Sequence, residues 1–127
     1  MKQRSAEILC IGTELLMGDI INTNAAYLAK ELAGLGINLY HQSVVGDNPE
    51  RLRQSLQLAL KRADIVITTG GLGPTYDDLS KETIAACFDR TLVMDEDSLT
   101  RIQAHFLRLG REMTDNNKKQ AMMPQGC

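Results

Sequence analysis

Hydrophobic residues along this chain fall into short apolar runs and longer helical stripes, and the two alternate. Glu7-Ile8-Leu9-Cys10-Ile11, closed by Gly12, has the pattern of a buried strand. Residues 24–35 set Leu28, Leu32 and Leu35 on one helical face, with Gly36 placed to end the helix. Residues 38–45 are rich in β-formers and predict a second strand. Asn48-Pro49 reads as a helix start, with asparagine as cap and proline at the first helical position. A stripe of Leu52, Leu56, Ala59, Leu60 and Ala63 follows. Ile65-Val66-Ile67-Thr68-Thr69, β-branched throughout, predicts a third strand running straight into a glycine-rich loop.

Beyond that loop, residues 79–88 are helical in pattern and residues 91–94 suggest a short edge strand. Residues 95–109 predict an amphipathic helix with Leu99, Ile102, Phe106 and Leu109 on one face and Gly110 ending it. Residues 114–122 suggest a last short helix, and the chain then ends on turn residues, as though further sequence should follow. No repeat, linker or low-complexity stretch interrupts this order. The alternation predicts one domain over residues 1–127, in the α/β class: three layers, α/β/α, with a mostly parallel sheet. Parallel strands would bring the loops at residues 12–18, 46–47 and 70–78 to one edge, beyond the carboxyl ends of the strands, where such sheets bind ligands.

Composition narrows the function classes. Over 127 residues, 43% hydrophobic and 24% charged content is ordinary for a globular protein. A net charge of −2 gives no basic footprint for nucleic acid. No apolar run is long enough to span a membrane and no signal peptide is evident, so the expected compartment is the cytoplasm. Cys10, Cys87 and Cys127 share no metal-ligand spacing, and Cys10 and Cys87 are expected to be packed reduced thiols. His41 and His105 have no partner at ligand spacing, and Lys118-Lys119 reads as a solvated face.

The candidate chemistry gathers at the predicted loop edge. Thr69-Gly70-Gly71-Leu72-Gly73-Pro74 follows a buried strand and precedes a helix. Glycines there allow positive φ and close approach of a ligand to main-chain N–H groups, which suits a phosphate. A plain strand-to-helix turn is the alternative. The loop lacks the lysine of the P-loop and the G-x-G-x-x-G spacing of dinucleotide folds. Asp77 and Asp78 beside it would repel an anion unless a divalent cation, magnesium or similar, bridged them; one of the two is also expected to cap the following helix. Thr13 and Glu14 stand at the same edge, as ligand contacts or as part of a plain loop. Asn22-Thr23-Asn24 offers contacts or caps. Asp47, left outside the helix by the Asn48 cap, has no evident structural task and is a metal or general-base candidate, a turn aspartate being the alternative.

Residues 12–18, 22–24, 45–48 and 69–78 together resemble the amino-terminal domain of the bacterial CinA, competence/damage-inducible, family, which is similar to the MoaB/Mog molybdopterin-binding fold. The resemblance runs over essentially the whole chain. It implies that Gly70, Gly71 and Gly73, with Thr69 and Pro74, hold phosphate, and that Thr13, Glu14 and Asn24 contact a nucleotide. It also implies that Asp47 and Asp78 are catalytic acids and that Asp47, Asp77 and Asp78 hold the metal. Mog-like members often carry arginine where this chain has Asp77, a departure that favours the CinA branch. The implied activity is metal-dependent hydrolysis of ADP-ribose to AMP and ribose 5-phosphate, in a homo-oligomeric protein. Its expected further parts are an Asn-x-x-Gly-Thr-Ala loop completing the site and a carboxy-terminal nicotinamide mononucleotide amidohydrolase domain. The alternatives are a pterin- or nucleotide-binding module without chemistry, or an assembly scaffold for that second domain.

Overall fold

A computed structural model describes residues 2–127. The chain divides into two compact units, residues 1–71 and 72–127.

The first unit is built on three strands, β1 (Ser5–Ile11), β2 (Asn38–Val45) and β3 (Ile65–Thr69), all parallel, in the order β2-β1-β3. Helix α1 (Thr13–Leu16) follows β1, α2 (Thr23–Gly34) leads to β2, and α3 (Pro49–Arg62) leads to β3. Side chains alternate across a strand, so central β1 serves two faces. Ala6, Ile8 and Cys10 pack with Ala25 and Leu32 of α2 in one core. Glu7 points the other way, where Arg62 at the end of α3 donates to it, and Leu9 and Ile11 share that face by alternation. One helix therefore covers each face of the sheet, and the predicted three-layer α/β/α arrangement is present within this unit. Leu52, Leu56 and Ala59 are the buried stripe of α3.

Glu7 is 1% exposed. Arg62 grips its carboxylate with two hydrogen bonds of 2.8 and 2.6 Å, and the Ser43 hydroxyl adds one of 3.3 Å. The Arg62 hydrogen bonds hold the Glu7 carboxyl below its ordinary range, against the opposing pull of burial. The register of β1 on β2 shifts here: Ala6 pairs with Leu39 and Glu7 with His41, leaving Tyr40 as the extra residue of a bulge.

The second unit holds α4 (Ser80–Cys87), β4 (Leu92–Met94), α5 (Glu96–Arg108), α6 (Asp115–Lys118), a 3₁₀ turn (Lys119–Ala121) and β5 (Met122–Pro124). Strands β4 and β5 pair antiparallel, Val93 opposite Met123. The region expected to be one short helix over residues 114–122 is thus a helical turn, a 3₁₀ turn and the start of a strand. Three-residue β5 is too short to show alternation, and its Pro124 reads locally as a breaker.

Asn22 and Asn48 cap their helices as the residues predict and Asp95 adds a third cap, but neither Asp77 nor Asp78 caps α4. Asn22, Asn48 and Asp95 accept from the backbone N–H of Ala25, Arg51 and Ser98, each three residues on. Three stripe assignments fail: Leu35, past the last turn of α2, is 74% exposed, Leu60 on α3 is 43% exposed, and Leu109, past the last turn of α5, is 52% exposed. Cys10 is buried and Cys127 exposed. No helix among the described residues is long and apolar enough to cross a membrane.

Candidate functional site

In the first unit the parallel strands bring residues 12–18, 46–47 and 70–71 to the carboxyl edge of the sheet, as expected. Because β1 is central, the chain leaves it toward β2 and later returns to its other side as β3. This reversal of strand order is where α/β sheets open a ligand crevice. A concavity of about 140 Å³ lies there, lined at the strand ends by Ile11, Thr69 and Gly70 and from the loop and helix above by Glu14, Asn22, Thr23 and Asn24. Ile20 and Ile21, which sequence reasoning passed over, supply apolar wall. Four predicted contacts, Glu14, Asn24, Thr69 and Gly70, therefore share one hollow. Asn22 rather than Asn24 is the cap of α2, so the Asn24 side chain has no capping duty.

Gly70 is fixed by sterics. Its φ is +88°, in the left-handed region, and a Cβ there would lie 2.0 Å from the carbonyl oxygen of Ile11. The end of β3 thus closes on the end of β1 at a distance only glycine permits. Gly71 follows with φ +66°.

Residues 13–16, expected as loop, form the one-turn helix α1. Thr13 at its start is tied to Asp47 in both directions: the Thr13 N–H donates to Asp47 Oδ2 at 3.3 Å, and the Asp47 N–H donates to Thr13 Oγ1 at 3.1 Å. Asp47 therefore has the structural task that its sequence position did not suggest, joining the loop after β1 to the loop after β2. The packing of Gly46 matches: a Cβ there would meet Thr13 Oγ1 and Leu16 Cδ1 at 3.2 Å.

The rest of the predicted loop belongs to the second unit. Asp78 turns its carboxylate back into the loop, where Oδ2 accepts from the Thr75 hydroxyl at 2.7 Å and the Thr75 N–H at 3.1 Å. The Thr75 hydroxyl, with the Thr75 and Gly73 amides and the nearby Lys119 charge, holds the Asp78 carboxyl below its ordinary range. Gly73 is required by the same contact, since a Cβ there would lie 2.5 Å from Asp78 Oδ2. Asp78 is thus an organiser of the loop and not a helix cap. The cap position of α4 is Leu79, with no side-chain cap bond, and Asp77 is exposed. Lys119, expected in solvent, donates to the carbonyls of Thr75, at 2.7 Å, and Asp78, while Lys118 pairs only with Asp115. A lysine in a polar run gives no signal of such a role.

No group of three His, Cys, Asp or Glu side chains that could hold a metal occurs among the described residues. Magnesium, however, is commonly held by one or two carboxylates together with substrate phosphates, and not by a cage made only of protein.

Comparison with known proteins follows the same lines. The family described as "Probable molybdopterin binding domain" matches residues 7–125. A putative competence-damage inducible protein of Clostridium acetobutylicum is 58% identical over 121 residues, which are 95% of this chain and 29% of that protein. The chain thus spans under a third of the length of such curated relatives. A CinA protein of unknown function from Thermoplasma acidophilum has a solved structure that superposes with a TM-score of 0.88 at 33% identity, covering 98% of this chain and 73% of that one. The Mog protein of molybdopterin biosynthesis from Mycobacterium ulcerans superposes at 0.63 with 27% identity, covering 79% and 66%.

Proposed function

Because this chain belongs to the probable molybdopterin binding domain family, and within it to the CinA-like proteins, we propose that it binds a phosphate-bearing nucleotide and hydrolyses its pyrophosphate bond, with ADP-ribose as substrate. The observation that carries the binding half is the hollow at the strand reversal, where Gly70 is stripped of any side chain against Ile11 and Glu14, Asn24 and Thr69 converge. Backbone N–H groups of Gly70 and Gly71 suit phosphate oxygens, and Ile20 and Ile21 suit the flat face of a heterocycle.

In this reading water attacks phosphorus, the bridging P–O bond breaks, and AMP and ribose 5-phosphate leave, the water proton passing to a carboxylate base. Thr13 fixes the Asp47 backbone, and the Thr75 hydroxyl and N–H hold the Asp78 carboxylate in its loop and favour its ionised, cation-binding form. A divalent cation, held by Asp47 in the first unit or by Asp77 and Asp78 in the second, would supply charge neutralisation of the pyrophosphate. The second reading, a nucleotide- or pterin-binding module without chemistry, is favoured by the Asp78 carboxylate already serving its own loop.

AMP release from ADP-ribose with added magnesium or manganese separates the two. Asp78→Asn is expected to keep binding, since an amide oxygen can still accept from Thr75, and to lower turnover by at least 100-fold. Saturable ADP-ribose binding with no metal-dependent AMP release would leave the binding module as the function.

A further inference from the structure

We propose that Glu14 is the specificity-determining residue of the hollow at the strand reversal, and that this hollow takes the adjacent hydroxyls of a ribose and not a phosphate. This rests on reading the hollow as the nucleotide site. The Glu14 carboxylate is placed by the residue two before it. Gly12 follows β1 with φ 163°, extended backbone that any residue adopts, so glycine is not needed there for conformation. What it gives is room. A Cβ on Gly12 would lie 2.5 Å from Glu14 Oε1, 2.9 Å from Cδ and 3.1 Å from Oε2. The carboxylate therefore lies across the bare Cα of Gly12, folded back over the end of the central strand.

Among the described residues nothing uses this carboxylate: it accepts no hydrogen bond and makes no ion pair. The Asn24 amide is unused as well, because Asn22 caps α2. No lysine, arginine or histidine lines the hollow, so the one formal charge on its wall is negative. A carboxylate accepts hydrogen bonds and donates none, and an ionised phosphate does the same. The two would repel at contact, with no cationic side chain between them. A ribose supplies the opposite chemistry. Its two adjacent O–H groups can donate to the two oxygens of one carboxylate, as an acidic residue receives the ribose hydroxyl in dinucleotide-binding sheets. Its oxygens can accept from the Asn24 amide and the Thr69 hydroxyl, which share the lining with Glu14. Size agrees. At about 140 Å³ the hollow is smaller than the roughly 300–1,000 Å³ that encloses a drug-sized ligand, so it takes one sugar-sized part of a nucleotide. Phosphate oxygens then belong outside it, toward Gly71, which is not part of the lining.

The test uses the 127-residue chain and calorimetric binding in magnesium. ADP-ribose carries two riboses, so its halves are compared separately: AMP against 2′-deoxy-AMP, and ribose 5-phosphate against 2-deoxyribose 5-phosphate. The half that discriminates identifies which ribose enters. In the wild-type chain one ribose form is expected to bind about 10-fold or more tightly than its deoxy counterpart. In Glu14→Ala that ratio should fall to within about twofold. Gly12→Ala keeps the carboxylate but puts a Cβ where it lies, and should lower the ratio at least about threefold. Deoxy forms that bind the wild-type chain as tightly as the ribose forms, or a ratio that survives Glu14→Ala, overturn the inference and leave the nucleotide reading standing. Titration with magnesium alone covers the remaining role of a free carboxylate: binding lost in Glu14→Ala would make Glu14 a cation ligand and overturn the inference too. A wild-type chain that binds neither ADP-ribose nor either half overturns the reading of the hollow as a nucleotide site, and the inference with it.

Discussion

Replacing Gly70 with alanine tests the most demanding contact in the site. Two costs combine. The first is conformational: φ is +88°, and a residue bearing Cβ in the left-handed region loses about 1–2 kcal/mol. The second is steric: the new Cβ would lie 2.0 Å from Ile11 O, whereas a carbon–oxygen contact settles at about 3.3 Å or more. The obstacle is backbone in a strand paired on both sides, not a side chain that can swing away, so β1 or β3 must shift, at about 1–3 kcal/mol. The total expected loss is about 2–5 kcal/mol. Gly36→Ala is the matched control in the same unit: its φ is +71° and nothing lies within 4 Å of its Cβ position, so it bears the first cost alone, about 1–2 kcal/mol. Urea unfolding of both variants, followed by circular dichroism and read at equal m, isolates the steric part. If Gly70→Ala falls within about 0.5 kcal/mol of Gly36→Ala, the close approach of the two strand ends is not as described.

The buried carboxylate gives a pH signature. The folded pKa of Glu7 lies below its unfolded value, so its contribution is fully present above the unfolded pKa and is lost as pH falls through the folded one. Thermal unfolding of the wild-type chain should therefore weaken below about pH 4.5 more steeply than that of Glu7→Leu. Arg62→Met alone should lower the melting temperature more than the Glu7→Leu/Arg62→Met double substitution does, because the single change strands a buried charge. At the site edge, Thr13→Val removes the acceptor of the Asp47 N–H and should cost about 0.5–1 kcal/mol in urea unfolding, with a chemical-shift change at Asp47.

What the sequence disclosed and what it withheld divide by distance along the chain. Asn48 was recognisable as a cap because the N–H it accepts from lies three residues ahead. The strands at residues 38–45 and 65–69 were legible because β-branched and aromatic side chains mark them locally. Convergence of the loops at one edge followed from the alternation of strands and helices. Partnerships that decide the site are of another kind. Asp47 and Thr13 are 34 residues apart, Lys119 and Thr75 are 44 apart, and in neither pair does one residue betray the other. The glycine loop was visible as a run, but what each glycine accommodates, Ile11 O for Gly70 and Asp78 Oδ2 for Gly73, depends on neighbours the run does not name.

The Glu7–Arg62 pair has a consequence for which structures the chain can reject. Side chains alternate along β1, so sliding the strand by one residue would exchange its faces. Glu7 would then be driven into the layer of Ala25 and Leu32, where neither core residue offers a donor, and Ile8 would face the guanidinium of Arg62. A carboxylate buried without a partner costs several kcal/mol, comparable with the whole stability of a small domain. Leu9, Cys10 and Ile11 are alike enough in size and polarity to tolerate such a slip. One charged residue in a largely apolar strand thus acts as a parity check on the alignment, and Gly70 at the end of β3 meets Ile11 only when that parity is right.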